Sequence, residues 1–525
     1  MSERWRLAVL LAVAMLVYGN SLFNGFTEDD RLYIFMNPAA VAPSASNLFF
    51  PNAATAVWRP VTFASFALNL AVAGDHPFLY HFVNLLLHAG VTALLYWLLL
   101  RLLVTLPDGK TIAWVSALLF AVHPIHVEAV ASVAGRAELL AAGFLLAAWL
   151  LHLQDRPVLA SGCFILALWS KESVAAFPIL LVAGDYACGK LKPFRRYLWA
   201  FVIAAVYVPA LWLVQGRSFG SAKYDFVVNP LTALPASLRI LNALRIAWKY
   251  VGLLFYPAKL SCDYSYNSIP LYATWRHFVP AVLATSIVLA IWIWCGLSNR
   301  RVWFLAGAIY LVGFAITGNI LMAAGPPMGE RIAYFPSAGF CLLIALFWGS
   351  IERRWPKSAW ILLVFIMMAL GVRTWVRNRD WRDNSTLFFS GVRAYPENVH
   401  LRDFIIPQYV ARGDWNTATK EARALLEFYP TFPDELKSAG IAEYDFRLVK
   451  EAERHAKLGE VDDALRFLDV VIKRSPSFSL AWSDRAIIRF RHGEKTAALE
   501  DARNALRLDP NNTVARELLE WGGLL

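Results

Sequence analysis

Long apolar runs broken by short polar connections fill the chain to about residue 375, and amphipathic segments follow them. A helix needs about 20 predominantly apolar residues to cross a bilayer. Runs near that length recur at 7–23, 78–100, 111–123, 138–154, 157–170, 173–187, 197–214, 277–297, 302–321, 333–351 and 358–375. The pattern predicts about eleven membrane spans, several of them short. Residues 237–257 differ, because Arg239, Arg245 and Lys249 interrupt the apolar stretch. They predict a helix lying at the interface rather than across it.

The tail repeats itself. Gly413, Gly459 and Gly493 are each followed five residues later by Ala418, Ala464 and Ala498, and seventeen later by Pro430, Pro476 and Pro510. The step from Gly459 to Gly493 is 34 residues, the period of a tetratricopeptide helix-turn-helix unit, whereas the step from Gly413 is 46. In this reading the glycine makes the turn, the alanine lets two helices approach, and the proline ends the second helix. Such arrays are protein-binding surfaces. The expected fold is all-α: a polytopic membrane bundle over residues 1–383, with a first outer loop at about 24–77, followed by an α-solenoid of repeats over 384–525.

Composition agrees with the pattern. Of the 525 residues, 58% are hydrophobic and 17% charged, which excludes an ordinary soluble chain, where charge is nearer a quarter. Residues 1–383 hold 30 Lys/Arg against 17 Asp/Glu, and the tail 20 against 22. The excess cations therefore belong to the membrane part, with anionic lipid heads as partners. They are dispersed among loops, which excludes nucleic acid. The five cysteines are odd in number and sit mostly in or beside apolar runs, which argues against a disulfide framework.

Lys/Arg placement sets the orientation. Arg4 and Arg6, the group Lys190, Lys192, Arg195 and Arg196, the pair Arg300 and Arg301, and the pair Arg353 and Arg354 mark cytoplasmic loops. Residues 24–77, 124–137, 215–276, 322–332 and the tail then face outward. Arg373, Arg377, Arg379 and Arg382 run against this rule, and lipid phosphates are their expected partners.

Ionisable residues collect on that outer face. Glu28, Asp29 and Asp30 follow the first span directly, where charge beside a bilayer is a functional candidate. Arg59, His123, His126, Glu128, Arg136, Glu138, Lys171, Glu172, Glu330, Arg331 and Tyr334 fall at other outer junctions. Taken singly, many also fit charges that snorkel to water. His123 and His126 with Glu128 are a weak metal pattern, and no metal site is expected.

The runs WRPVTFASFALNLAVAGDHPFLYHFVNLLLH, VHPIHVEAVASVAGRAELLAA, SKES, GERIAYFPS and RNRDWRDNSTLF resemble, in order, the transmembrane and TPR-repeat O-mannosyltransferase (TMTC) family. The resemblance implies a GT-C glycosyltransferase that takes a sugar, mannose, from a polyprenyl-phosphate donor on the outer or lumenal side. No cofactor is expected beyond that lipid-linked donor. The family's first-loop acid pair matches Asp29 and Asp30, with Glu28 added before them.

Such chemistry needs a base near the acceptor hydroxyl and cations near the departing phosphate. Asp29 is expected as base, with Asp30 orienting the acceptor or serving as the base itself. Arg59, Arg136, Lys171, Arg331, His123 and His126 are expected at the donor phosphate. Glu28, Glu128, Glu138, Glu172, Glu330 and Tyr334 would support them or contact substrate, and a protein acceptor would bind the repeats. Two other readings stay open: a related transferase acting on a lipid or glycan with another sugar, and a non-catalytic membrane scaffold. A bacterial inner membrane is the expected location, or the endoplasmic reticulum in a eukaryote, with site and repeats on the periplasmic or lumenal side. Asn384-Ser385-Thr386 also matches a glycosylation triplet.

Overall fold

In a computed structural model the regular elements of the described residues are all helices. The structure describes residues 2–50, 57–214, 227–323, 325–414, 416–418, 420–421, 448–450, 452–453, 455–456 and 459–521. The chain divides into two compact units. The first comprises Met1–Lys223, Ala236–Tyr264 and Thr274–Pro396; the second comprises Tyr224–Pro235, Ser265–Ala273 and Glu397–Leu525.

The principal helices of the first unit are α1 (Glu3–Tyr18), α2 (Asp30–Ile34), α3 (Pro60–Ala73), α4 (Pro77–Leu102), α5 (Gly109–Val122), α6 (Val127–Ala131), α7 (Arg136–Leu153) and α8 (Pro157–Ser170). They continue with α9 (Phe177–Ala187), α10 (Leu198–Val214), α11 (Ala236–Phe255), α12 (Val279–Leu297), α13 (Arg301–Gly313), α14 (Ser337–Arg354), α15 (Pro356–Asp380) and α16 (Asn384–Ala394). Proline opens α3, α4, α8 and α15. Its fixed φ suits the first helical position, where an N–H would lack a partner anyway.

A helix runs through each of the predicted apolar stretches. Among the described residues, five helices are long and apolar enough to cross a membrane: Glu3–Phe23, α4, α7, α12 and α15. They make this a multi-pass membrane protein. The pair α5 and α6 is long and apolar enough only when taken together, and it bends by 52° at His123-Pro124, as a broken span or a re-entrant loop does. The shorter helices α8, α10 and α13 are apolar but fall below the length of a full crossing.

The first outer loop holds an element that the hydrophobic pattern missed. α3 is an apolar helix of 14 residues, about 21 Å long at 1.5 Å per residue and too short to span. Its Phe63 and Phe66 pack instead with Tyr80 and Val133.

Close helix crossings set the bundle's core. A Cβ at Gly339 would stand 2.4 Å from the Ala306 carbonyl oxygen, so α14 can lie against α13 only with glycine there. α12 and α15 keep Leu283, Ile287, Ile291, Leu362 and Phe365 outward, a surface suited to acyl chains.

The two ends of the bundle carry different ion pairs. One end joins Lys110 to Glu3 at 2.9 Å, Lys192 to Asp155 at 2.8 Å and Arg353 to Asp108 at 3.7 Å, all with one or both partners well exposed. The acidic first loop occupies the other end. There Arg373 donates to the Pro257 and Ala258 carbonyls, and Arg377 pairs with Glu330 and Asp380. Two of the arginines that oppose the charge rule are thus held by protein groups, while Arg379 and Arg382 are exposed.

The second unit contains α17 (Val399–Ala411), α18 (Val461–Arg474), α19 (Ser479–Arg491), α20 (Lys495–Leu508) and α21 (Thr513–Trp521). Gly413, Gly459 and Gly493 have φ of 74°, 81° and 87°, a left-handed backbone that glycine adopts at no steric cost. Ala464 and Ala498 are buried where consecutive helices meet, and Pro476 and Pro510 follow the ends of α18 and α20. Pro430 lies outside the described residues. Leu468, Val471 and Ala481 belong to one core, and Ala486, Ala502, Ala505 and Leu518 to a second.

Candidate functional site

The acidic cluster is a tight turn that separates its three carboxylates. Asp30 N–H donates to the Thr27 carbonyl at 3.0 Å, and Thr27 N–H donates back to Asp30 Oδ2 at 2.9 Å. Glu28 takes φ +46°, an uncommon left-handed conformation for a residue with a side chain. Asp30 is fully buried, and its Oδ1 also accepts from Ala134 N–H at 2.7 Å and Ser132 Oγ at 3.2 Å. Asp29 stays 42% exposed. Burial raises the Asp30 carboxyl to about 6, against the opposing pull of its backbone N–H donors. Glu28 is raised well above the usual range by burial and by the charges of Asp29 and Glu128.

Glycine makes the opposing loop. A Cβ at Gly135 would meet the Ala129 carbonyl oxygen at 2.4 Å, so only glycine allows the turn that presents Ala134 N–H to Asp30.

Cations face Asp29. Arg331 reaches Asp29 Oδ2 at 3.7 Å and Glu128 Oε1 at 3.2 Å, and its own N–H donates to Glu128 Oε2 at 2.9 Å. The bend at Pro124 places Glu128 there, at the start of the short second half of the broken helix. Arg59 grips Glu172 with both Nε (3.1 Å) and NH2 (2.7 Å). Burial alone would lift the Glu172 carboxyl, but Arg59 and then Lys171 bring it down to about 2. Lys171 pairs with Glu138. Lys171 also lies within electrostatic reach of Arg59, Glu172 and Arg331, and Tyr33 within reach of Asp29, Arg59, Arg331 and Glu172.

The structure therefore brings Glu28, Asp29, Arg59, Glu128, Glu138, Lys171, Glu172 and Arg331 into one charged ring. The other expected residues turn polar atoms to protein partners, with His126 Nδ1 and Glu330 Oε2 left buried and without a hydrogen bond among the described residues. Arg136 is fully buried and donates to Asn84 Oδ1 at 2.9 Å, Tyr80 O at 3.0 Å, Ser65 O at 3.2 Å and Asn69, beneath Phe66. His123 places Nε2 2.9 Å from the Leu254 carbonyl and accepts Ile125 N–H at Nδ1, which fixes a neutral tautomer. His126 Nε2 meets Ser337 Oγ at 2.6 Å, and Tyr334 OH meets His88 Nδ1 at 2.8 Å, within an aromatic cluster around Phe120. Glu330 accepts Ser261 N–H at 2.6 Å and Tyr264 OH at 2.9 Å. Burial raises its carboxyl to about 7 despite Arg377.

Tyr33 and Asn384 are site residues that sequence reasoning missed. Tyr33 lies four residues beyond Asp29 on α2, where its N–H donates to the Asp29 carbonyl at 2.9 Å. That spacing was the available signal. A small cleft, with room of about 20 Å³, opens beside the ring between α7, α9 and α13. Glu138 is its charged lining residue, with Leu145, Val174, Phe177, Leu180 and Val312 supplying apolar wall. The metal-ligand grouping found among the described residues lies in the second unit, where His455, Glu460 and Asp463 hold ligand atoms within 4.8 Å of one another.

These features define a polytopic membrane protein with a half-exposed carboxylate ringed by cations at one end of its bundle. The family described as Protein O-mannosyl-transferase TMTC, DUF1736 has a profile that matches residues 218–291. A protein O-mannosyl-transferase of Caenorhabditis elegans is 29% identical over 75% of this chain and 58% of its own length. Protein O-mannosyl-transferases TMTC3 and TMTC1 of Homo sapiens are 27% and 26% identical, over 75% and 82% of this chain and 48% and 56% of theirs. The chain is thus similar to these TMTC proteins over 75–82% of its length, and it spans about half the length of the curated relatives it matches.

Proposed function

We propose that the first unit transfers a sugar, mannose, from a polyprenyl-phosphate carrier to a hydroxyl of a protein on the non-cytoplasmic face. The observation that carries this reading is Asp29, a half-exposed carboxylate 3.7 Å from the Arg331 guanidinium. Asp29 takes the proton of the acceptor hydroxyl as that oxygen bonds to the anomeric carbon. The bond from the anomeric carbon to the carrier phosphate breaks, and negative charge gathers on the phosphate. Guanidinium and ammonium groups fixed in advance stabilise that charge. Arg331, Arg59 and Lys171 are so fixed, by Glu128, Glu172 and Glu138.

The donor's isoprenoid chain would lie between the helices, with its sugar-phosphate head at the ring. The relatives' name, protein O-mannosyl-transferase, supports mannose as the sugar and protein as the acceptor. The second unit, read as tetratricopeptide repeats, would present the acceptor.

The test is transfer by the purified full chain in lipid nanodiscs, with polyprenyl-phosphate mannose and a Ser/Thr-rich peptide. Asp29→Asn should lower the rate at least a hundredfold, in line with loss of a general base, while donor binding stays within about threefold. Wild-type rates in Asp29→Asn would overturn the assignment.

A further inference from the structure

The backbone turn that carries Asp29 is held from a distant part of the chain. Glu28 N–H lies at the centre of the Thr27–Asp30 turn, in the left-handed region, and Asn384 Oδ1 accepts it at 2.8 Å. Gly25 N–H donates to the Arg382 carbonyl at 2.8 Å. Before it, Asn24 Nδ2 donates to the Asn378 carbonyl at 3.0 Å, and Asn378 Nδ2 to Asn20 Oδ1 at 2.7 Å. Asp383 caps α16 by accepting Thr386 N–H at 2.8 Å, and this fixes where Asn384 stands.

A buried N–H without a partner is costly, and a side-chain-bearing residue keeps a positive φ only where its surroundings enforce it. Arg382 and Asn384 enforce it here. The Asn-Ser-Thr triplet therefore has a structural use: its asparagine oxygen is committed to the acidic turn.

We propose that Asn384 is a positioning residue that aims Asp29 at the acceptor hydroxyl by holding the Glu28 amide. This rests on reading Asp29 as the base. Without the Asn384 oxygen, Glu28 relaxes out of the left-handed region and Asp29 turns with it. A misplacement of about 1 Å costs on the order of a hundredfold in rate.

The full chain in nanodiscs tests this with Asn384→Leu, which keeps the shape without the acceptor, and Asn384→Asp, which keeps the acceptor. Two readouts are needed: amide hydrogen exchange of the peptide covering residues 24–36, and kcat and KM for polyprenyl-phosphate mannose. Asn384→Leu should speed exchange in that peptide at least tenfold and lower kcat at least tenfold, with KM within threefold. Asn384→Asp should restore both to within about threefold of wild type. Unchanged exchange in Asn384→Leu overturns the proposal, and so does faster exchange with unchanged kcat while Asp29→Asn is inactive. Should Asp29→Asn transfer normally, the assignment of the base fails together with this proposal. The exchange readout then still decides the contact alone, which keeps the two failures apart. A Leu variant that does not fold, beside an Asp variant slowed more than tenfold, also overturns it.

Discussion

The Asp30 carboxylate accepts the Ala134 amide proton at 2.7 Å and is closed to solvent. Its neighbour Asp29 stays 42% exposed, so adjacent acids of the same motif stand in different surroundings. Asp30→Asn should cost stability by unpairing buried donors, about 1–3 kcal/mol for each one lost. Asp29→Asn should leave the melting temperature within about 2 °C while removing transfer. Thermal unfolding and transfer rate measured on the same two preparations check this. Equal stability losses in both variants would contradict it.

Arg136 is expected to act as a brace. Its guanidinium ties α3, α4 and α7 together through Asn69, Asn84, Ser65 and Tyr80. Arg136→Met strands several buried acceptors and should lower stability by about 3 kcal/mol or more. Arg136→Lys should rescue little, because an ammonium lacks the planar fork. The yield of folded protein and the unfolding midpoint are the measurements.

Stability should fall as pH rises across the neutral range. Asp30 and Glu330 have folded carboxyls at about 6 and about 7, both raised by burial. Protonation therefore favours the fold. Their contribution is complete below the ordinary carboxylate range and is lost as pH climbs through those two values. Glu172 runs the other way: its contribution is present above the ordinary range and is lost only as pH falls toward about 2. Melting temperatures from about pH 5 to about pH 8 should decline. Asp30→Asn and Glu330→Gln should each flatten that slope; an unchanged slope in both would refute the assignment.

In the second unit, Gly493 has φ 87° and open space where a Cβ would stand. Gly493→Ala meets no clash, so its cost is backbone strain alone, about 1 kcal/mol or somewhat more. A small drop in the unit's unfolding midpoint, with transfer unchanged toward a short peptide, is expected. Gly135→Ala should be far worse, because its Cβ would strike Ala129.

Much of this was readable in the residues. The apolar runs located helices because long hydrophobic stretches leave a chain in lipid few other conformations. The glycines of the tail marked turns because positive φ is glycine's specialty. The first-loop acids and the cations at 59, 171 and 331 drew attention by type and place. Residue type did not disclose how Asp29 and Asp30 divide their roles, since that depends on which amides the fold brings near. Arg136, His123 and His126 look like phosphate ligands in the sequence, yet Arg136 and His123 donate to carbonyl oxygens of other helices, and His126 Nε2 meets the Ser337 hydroxyl. α3 is absent from the predicted spans because it is shorter than a span, although Pro60 after Arg59 fits the start of an interfacial helix. Asn384 escaped notice because its triplet has a commoner meaning.

The difference in exposure between the bundle's two ends has a practical outcome. Lys110 with Glu3, Lys192 with Asp155 and Arg353 with Asp108 each have at least one partner well exposed, where dissolved ions weaken such attractions. The pairs of Lys171 with Glu138 and Arg377 with Glu330 are shielded. Raising sodium chloride to about 1 M, where screening acts over about 3 Å, should loosen the exposed rim and leave the charged ring at the other end intact. A purification buffer can thus soften one face of the molecule while the buried pairs of the other hold.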